Sequence, residues 1–90
     1  MTTYYLHLDN SVEKFKEICG AIERLYPDYT KHELLVDVDY SLIQIYTKDS
    51  NEIIIDNSAE LELIVARTDI DLSDFEYTIA ISKNGKLIYK

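Results

Sequence analysis

The sequence is poor in the features by which a chain announces its chemistry. It has one cysteine, Cys19, so no internal disulfide can form and a disulfide-stapled secreted scaffold is excluded. Two glycines, one proline and no tryptophan leave no glycine-rich phosphate loop, and no G-x-G-x-x-G, P-loop or nucleophile elbow is present. The two histidines, His7 and His32, stand far apart with no second ligand at metal-binding spacing, so a transition-metal site is not expected. Cations are scarce as well: nine Lys and Arg stand against 17 Asp and Glu, for a net charge of −8. Such a chain repels nucleic acid and anionic membranes and attracts basic proteins. No apolar run is long enough to span a bilayer. Met1 leads straight into Thr-Thr-Tyr-Tyr-Leu without a basic n-region or an apolar h-region, so a cytoplasmic protein is expected.

What is present fits one α+β domain over residues 1–90, since 47% of residues are hydrophobic and a chain of this size can bury a core of its own. Thr3 to Leu8 reads as a first strand. Asp9-Asn10-Ser11 then supplies capping side chains, with Asn10 and Glu13 at capping-box spacing and Ser11 as the alternative cap. From Asn10 to Tyr26, Val12, Phe15, Ile18, Cys19, Ile22, Leu25 and Tyr26 recur on one stripe at ~100° per residue, which predicts an amphipathic helix ended by Pro27. Cys19 lies on the stripe and reads as core. Gly20, mid-helix on the charged face, reads as tolerated rather than required.

The rest alternates with period two. Expected strands run over Glu33–Tyr40, Ser41–Thr47 after a tight turn at Asp39-Tyr40, Ile53–Ile55 and Phe75–Ser82, and a last one follows the Asn84-Gly85 turn. Asp56–Arg67, where Ser58 could cap a short helix, is read as a strand because Leu61, Leu63 and Val65 alternate with Glu60, Glu62 and Ile64. Asn-Gly between apolar runs is a strong signal for a type I′ hairpin, and a two-residue loop pairs Ile81 with Ile88 and Ala80 with Tyr89. The expected fold is one helix packed on one face of a mainly antiparallel sheet of five to seven strands, in the order β-α-β-β-β-β-β-β. The other face is left to solvent, to a partner, or to curling of the sheet.

Glu33 to Ser82 holds twelve carboxylates against two cations, Lys48 and Arg67, so the acidity of the protein belongs to its sheet. On the expected parities the uncovered face presents Asp37, Asp39, Glu52, Asp56, Glu60, Glu62 and Glu76, with Tyr40, Tyr46 and Tyr77 among them and Leu35, Leu42, Ile54 and Ile64 as apolar islands. Carboxylates accept bidentate bonds from arginine and tyrosine offers contact area at low entropic cost, so this pattern suits docking on a cationic protein surface. The bland alternative is a sheet that solvates its outer face with acids. Asp69-Ile-Asp71-Leu-Ser-Asp74 is oxygen-rich but lacks the glycine and terminal glutamate of a calcium loop, so an Asx-type turn is the expected use. No cofactor or metal is implied, and a chain with so few glycines offers little concavity for a catalytic carboxylate pair.

Small size, acidity, tyrosine-rich strands and the lack of a catalytic motif make the chain similar, as a whole and by composition, to phage anti-restriction and anti-CRISPR proteins and toxin immunity proteins. That similarity implies a non-enzymatic inhibitor that occupies the cationic site of a nucleic-acid-handling protein without touching nucleic acid or membrane, as a monomer or homodimer. The alternative is an assembly module that homodimerises through a sheet edge or face.

Overall fold

A computed structural model describes all 90 residues. The elements are β1 (Thr2–His7), α1 (Val12–Leu25), β2 (Thr30–Lys31), β3 (Leu35–Val36), β4 (Leu42–Lys48), β5 (Asn51–Ser58), β6 (Leu63–Thr68), β7 (Ala80–Lys83) and β8 (Lys86–Tyr89). The eight strands form one sheet in the order β2-β4-β5-β6-β1-β7-β8, with β3 beside β4 on the same edge as β2. Every pairing is antiparallel. The sheet stays open at β8 and at the broken β2/β3 edge, so the fold is α+β with one helix on one face, as expected.

The helix forms where the sequence places it. Ser11 is the N-cap and accepts from Lys14 N–H, while Asp9 accepts from Ser11 N–H, so the serine serves as cap rather than Asn10. Phe15, Ile18, Cys19, Ala21 and Ile22 are buried, whereas Val12 and Leu25 at the ends of the stripe remain exposed. They meet Tyr4 and Leu6 of β1, Tyr46 of β4, Ile53 and Ile55 of β5, and Ile64 and Ala66 of β6. A long loop after β6 adds Leu72 and Phe75 to the same core and ties itself down by Thr78 Oγ1 donating to Leu72 O at 2.8 Å. The expected strand from Phe75 is therefore a loop up to Ile79, and only Ala80–Lys83 pairs. Phe75 and Leu72 cap the open end of the core on the helix side, a contact that an extended strand in the sheet could not make.

Two other expectations are corrected. Glu33–Tyr40 pairs only over Leu35–Val36, and every residue from Lys31 to Tyr40 is exposed. No element packs over this edge, so alternation there brings no burial. Ala59 to Glu62 form the turn between β5 and β6, which takes Glu60 and Glu62 out of the strand. The last hairpin matches its signal: Asn84 and Gly85 have φ of 53° and 76°, and Ile81 pairs with Ile88 and Ala80 with Tyr89.

The two glycines predict opposite outcomes. A Cβ at Gly20 meets only the flexible tip of Arg24, at 3.4 Å, so Gly20→Ala is expected to raise stability by about 0.5–1 kcal/mol through helix propensity. Gly85 has open space but positive φ, so Gly85→Ala is expected to cost about 1 kcal/mol. Urea melts of the two variants check both signs.

Candidate functional site

The face of the sheet away from α1 is built by the register. Ile43 opposes Asp56, which opposes Val65, which opposes Tyr5, which opposes Ala80, which opposes Tyr89. The next row on the same side is Ile45, Ile54, Arg67, Thr3, Ser82 and Leu87. Leu35 extends the first row at the β3 edge. This face is mainly apolar, broken by Asp56, Arg67, Thr3 and Ser82, and is not an array of carboxylates. Its side chains shelter one another: Val65 and Ala80 are buried although no helix covers them, and Tyr5, Ile43, Ile45, Ile54 and Leu63 are half-buried.

The difference from the sequence reading comes from β4 and β6. Both are apolar on both parities, and the pairing turns Leu42, Gln44 and Tyr46, and Ile64 and Ala66, toward the helix. A one-residue choice of register moves a whole strand's side chains to the other face. Tyr46, expected on the open face, is consequently 1% exposed. Its hydroxyl donates to the Glu23 carboxylate at 2.6 Å, and burial and that bond push its pKa up. That acceptor exists only on the helix side. Leu42 and Ile64, expected as islands on the open face, turn to the helix with it.

The other expected site residues fall into three groups. Asp37, Asp39, Tyr40, Glu60 and Glu62 come together at one end of the sheet, on the β3–β4 and β5–β6 turns, which Ala59 N–H joins by donating to Ser41 Oγ at 2.9 Å. Leu8 and Asp9, following β1, lie at this same end. Glu52 and Asp56 are on the open face itself. Asp56 accepts from Arg67 Nη2 at 3.1 Å, its side chain is 14% exposed, and its Oδ1 is buried without a hydrogen-bond partner. Glu76 lies apart, between Phe75 in the core and Tyr77, whose hydroxyl donates to Glu17 on the helix. That bond pushes the Tyr77 pKa up to about 12 and, with Lys14, holds the Glu17 carboxyl below its usual range.

Among the twelve carboxylates of Glu33 to Ser82, Asp56 alone has a cationic partner within the chain. The open face carries no free cation either. Arg67 is spent on Asp56, and Lys83 and Lys86 have the opposite parity to Ser82 and Leu87, which turns them to the other side. The result is an apolar surface bordered by uncompensated acids.

Sequence reasoning missed two features of this border. Val38 is 96% exposed and Tyr40 83% exposed, on a turn closed by Tyr40 N–H donating to Asp37 O and Asp37 N–H donating to Ser41 O. Tyr40 and Glu62 also have positive φ, 69° and 55°. In a chain with two glycines, four turns use non-glycine residues in the left-handed region: Tyr40, Asp49, Glu62 and Asn84. Asp and Asn tolerate it, but a tyrosine or glutamate there is strained. The tip thus keeps two large apolar side chains in water, one of them on strained backbone, and neither adds to stability.

A cleft of about 410 Å³ lies between α1 and the 31–34 segment. Its contents are already satisfied. Burial works to raise the Glu23 pKa, but hydrogen bonds from Tyr46 and Lys31 outweigh it and hold the carboxyl below its usual range. Burial pushes the Cys19 thiol up to about 11, which agrees with its place in the core and leaves no activated nucleophile. The Asp71 carboxylate is occupied as a turn acceptor for Ser73, and no three ligating side chains in the molecule converge as a metal site.

Compared with protein-family models, curated proteins and solved structures, the chain matches none. No helix is long and apolar enough to cross a membrane.

Tyr40→Gly is expected to stabilise the fold by up to about 1 kcal/mol, because relief of the left-handed strain exceeds the entropy that glycine adds to the unfolded chain. A denaturant melt checks this, and a loss of stability would place Tyr40 in the packing of the β3–β4 turn instead.

Proposed function

We propose that this protein is a non-enzymatic binding protein that docks through the helix-free face of its sheet onto the cationic surface of another protein, of the kind that handles nucleic acid, and blocks it. The observation that carries the reading is the pairing of an apolar centre with an acidic border that has no counter-charge of its own. Protein interfaces have this anatomy, a desolvated apolar core inside a polar rim. The molecule measures 30 × 28 × 20 Å, and its broad side is on the order of 800 Å², about what one partner contributes to a standard interface.

Division of labour follows from the arrangement. The rows containing Ile43, Ile45, Ile54, Val65 and Tyr5 supply buried area, while Asp37, Asp39, Glu60 and Glu62 steer a basic partner and set register. Asp56 and Arg67 stand at the centre as an ion pair that a partner would desolvate. Relative to the sequence reading, the carboxylates act from the rim and not as an array across the face. Homodimerisation is the second reading, because the same face is apolar. It is weakened by the charge, since stacking two copies brings two acidic borders and −8 against −8.

The test is capture on the immobilised protein at low salt and at about 0.5 M salt, followed by measurement of the retained partner's affinity. Affinity is expected to fall by about tenfold or more between the two conditions, mainly through slower association. Reversal of Asp37, Asp39, Glu60 and Glu62 to lysine should abolish binding and leave the fold intact by circular dichroism, since all four are exposed and the β3–β4 turn loses only the bonds that Asp37 and Asp39 accept from Val38 N–H and Ser41 N–H. A partner held equally at both salts, or indifferent to the reversal, contradicts the reading. Light scattering that shows a tight homodimer favours the second.

A further inference from the structure

One part of the open face is concave. Tyr5, Leu8, Leu63, Ile79, Leu87 and Tyr89, with Ala80, enclose a groove of about 240 Å³ where β1, β7 and β8 meet the start of β6. Every lining residue is apolar, and Leu8 and Tyr89 are each about three-quarters exposed, 73% in both cases. The volume is below the ~300–1,000 Å³ of small-molecule sites, and no polar group converges on it to orient a small ligand. It suits one large side chain.

The charges beside it say what that side chain belongs to. Leu8 is followed by Asp9, and Leu63 is preceded by Glu60 and Glu62 on the β5–β6 turn. Asp9 accepts from Ser11 N–H and lies 3.3 Å from His7, with no Lys or Arg beside it, and the two glutamates have no cationic partner. On the β8 side the lysines Lys83 and Lys86 are turned away by strand parity, and Leu87 and Tyr89 are what β8 offers to the groove. A second copy is a poor occupant, since its own Leu87 and Tyr89 already wall its own groove and its net charge is −8.

We infer that this groove is the anchor site of the interface, taking one large apolar side chain from a segment of the partner whose flanking residues are lysine or arginine. Interfaces concentrate their affinity in such pockets, with charged contacts at the margin. The inference rests on the docking face proposed above and adds which part of it holds the partner and by what chemistry.

Three synthetic peptides test it by NMR titration of the ¹⁵N-labelled protein at low salt: a Lys/Arg-rich peptide with a central tryptophan, the same peptide with glycine in its place, and a Glu/Asp-rich peptide with the tryptophan. The basic tryptophan peptide is expected to shift the amides of Tyr5, Leu63, Ala80 and Leu87 and to bind about tenfold more tightly than either other peptide. Leu87→Ser, on the edge strand β8, should cut that binding by about tenfold while the amide resonances outside β7 and β8 stay where they are in the parent. Equal binding of the two basic peptides overturns the anchor site and leaves the cationic-partner reading standing. Absence of binding by either basic peptide overturns both. Equal binding of the acidic tryptophan peptide overturns the coupling of the apolar anchor to basic flanks. A dimer whose interface maps to these same amides gives the groove to a second copy and overturns the inference too.

Discussion

One helix can cover one face of a sheet. In this protein α1 runs fourteen residues and lies on an open sheet of eight strands, and most of the structure follows from that mismatch. The covered side holds a dense core from Tyr4 to Phe75, and the loop after β6 has been drawn onto it to finish the job the helix cannot. The other side has no such element. Its Ile, Val and Tyr side chains shelter one another only in part, and the area they leave is what a partner of this chain would meet.

The acids answer the same constraint. An apolar sheet face with unpaired edges invites association of identical chains, and charges around its border oppose that. Carboxylates on the turns at Asp37–Tyr40 and Ala59–Glu62 do so, and lysines mark the exposed edge β8 on the opposite side. A border of one sign does more than keep copies apart, because it also selects a partner of the other sign. On the proposed function, solubility and recognition are two effects of one charge distribution. The strained Tyr40 and the water-exposed Val38 contribute nothing to keeping copies apart, and they are what the recognition proposed above would use.

How far the sequence could be read depended on whether a residue's surroundings are local. The helix was legible because its stripe, its capping serine and Pro27 all act within a few residues, and the Asn84-Gly85 hairpin was legible for the same reason, down to the pairing of Ile81 with Ile88. The class of fold followed from these. The facing of β4 and β6 did not, because Leu-Ile-Gln-Ile-Tyr and Leu-Ile-Val-Ala are apolar on both parities, and the decision lies in partners far along the chain: Ile53 beside Tyr46, and Glu23 on the helix to accept its hydroxyl. That ambiguity hid the apolar rows of the open face. Glu60 and Glu62 were misplaced by alternation that continued through a turn, since a glutamate in the left-handed region gives no glycine or asparagine signal. Asp37, Asp39, Tyr40, Glu60 and Glu62 nevertheless gather at one end of the sheet, by a neighbourhood of turns that no spacing within the chain records.

The central claim is that the helix-free face, and not the helix, meets the partner. Site-specific photo-cross-linking in living cells tests it most directly, with a benzophenone side chain placed either at Ile54, in the middle of the open face, or at Lys16, on the solvent side of α1. The account predicts one dominant cross-linked protein from the Ile54 position, a basic one, and none from Lys16. Cross-linking from Lys16 alone, with Ile54 silent, would contradict it.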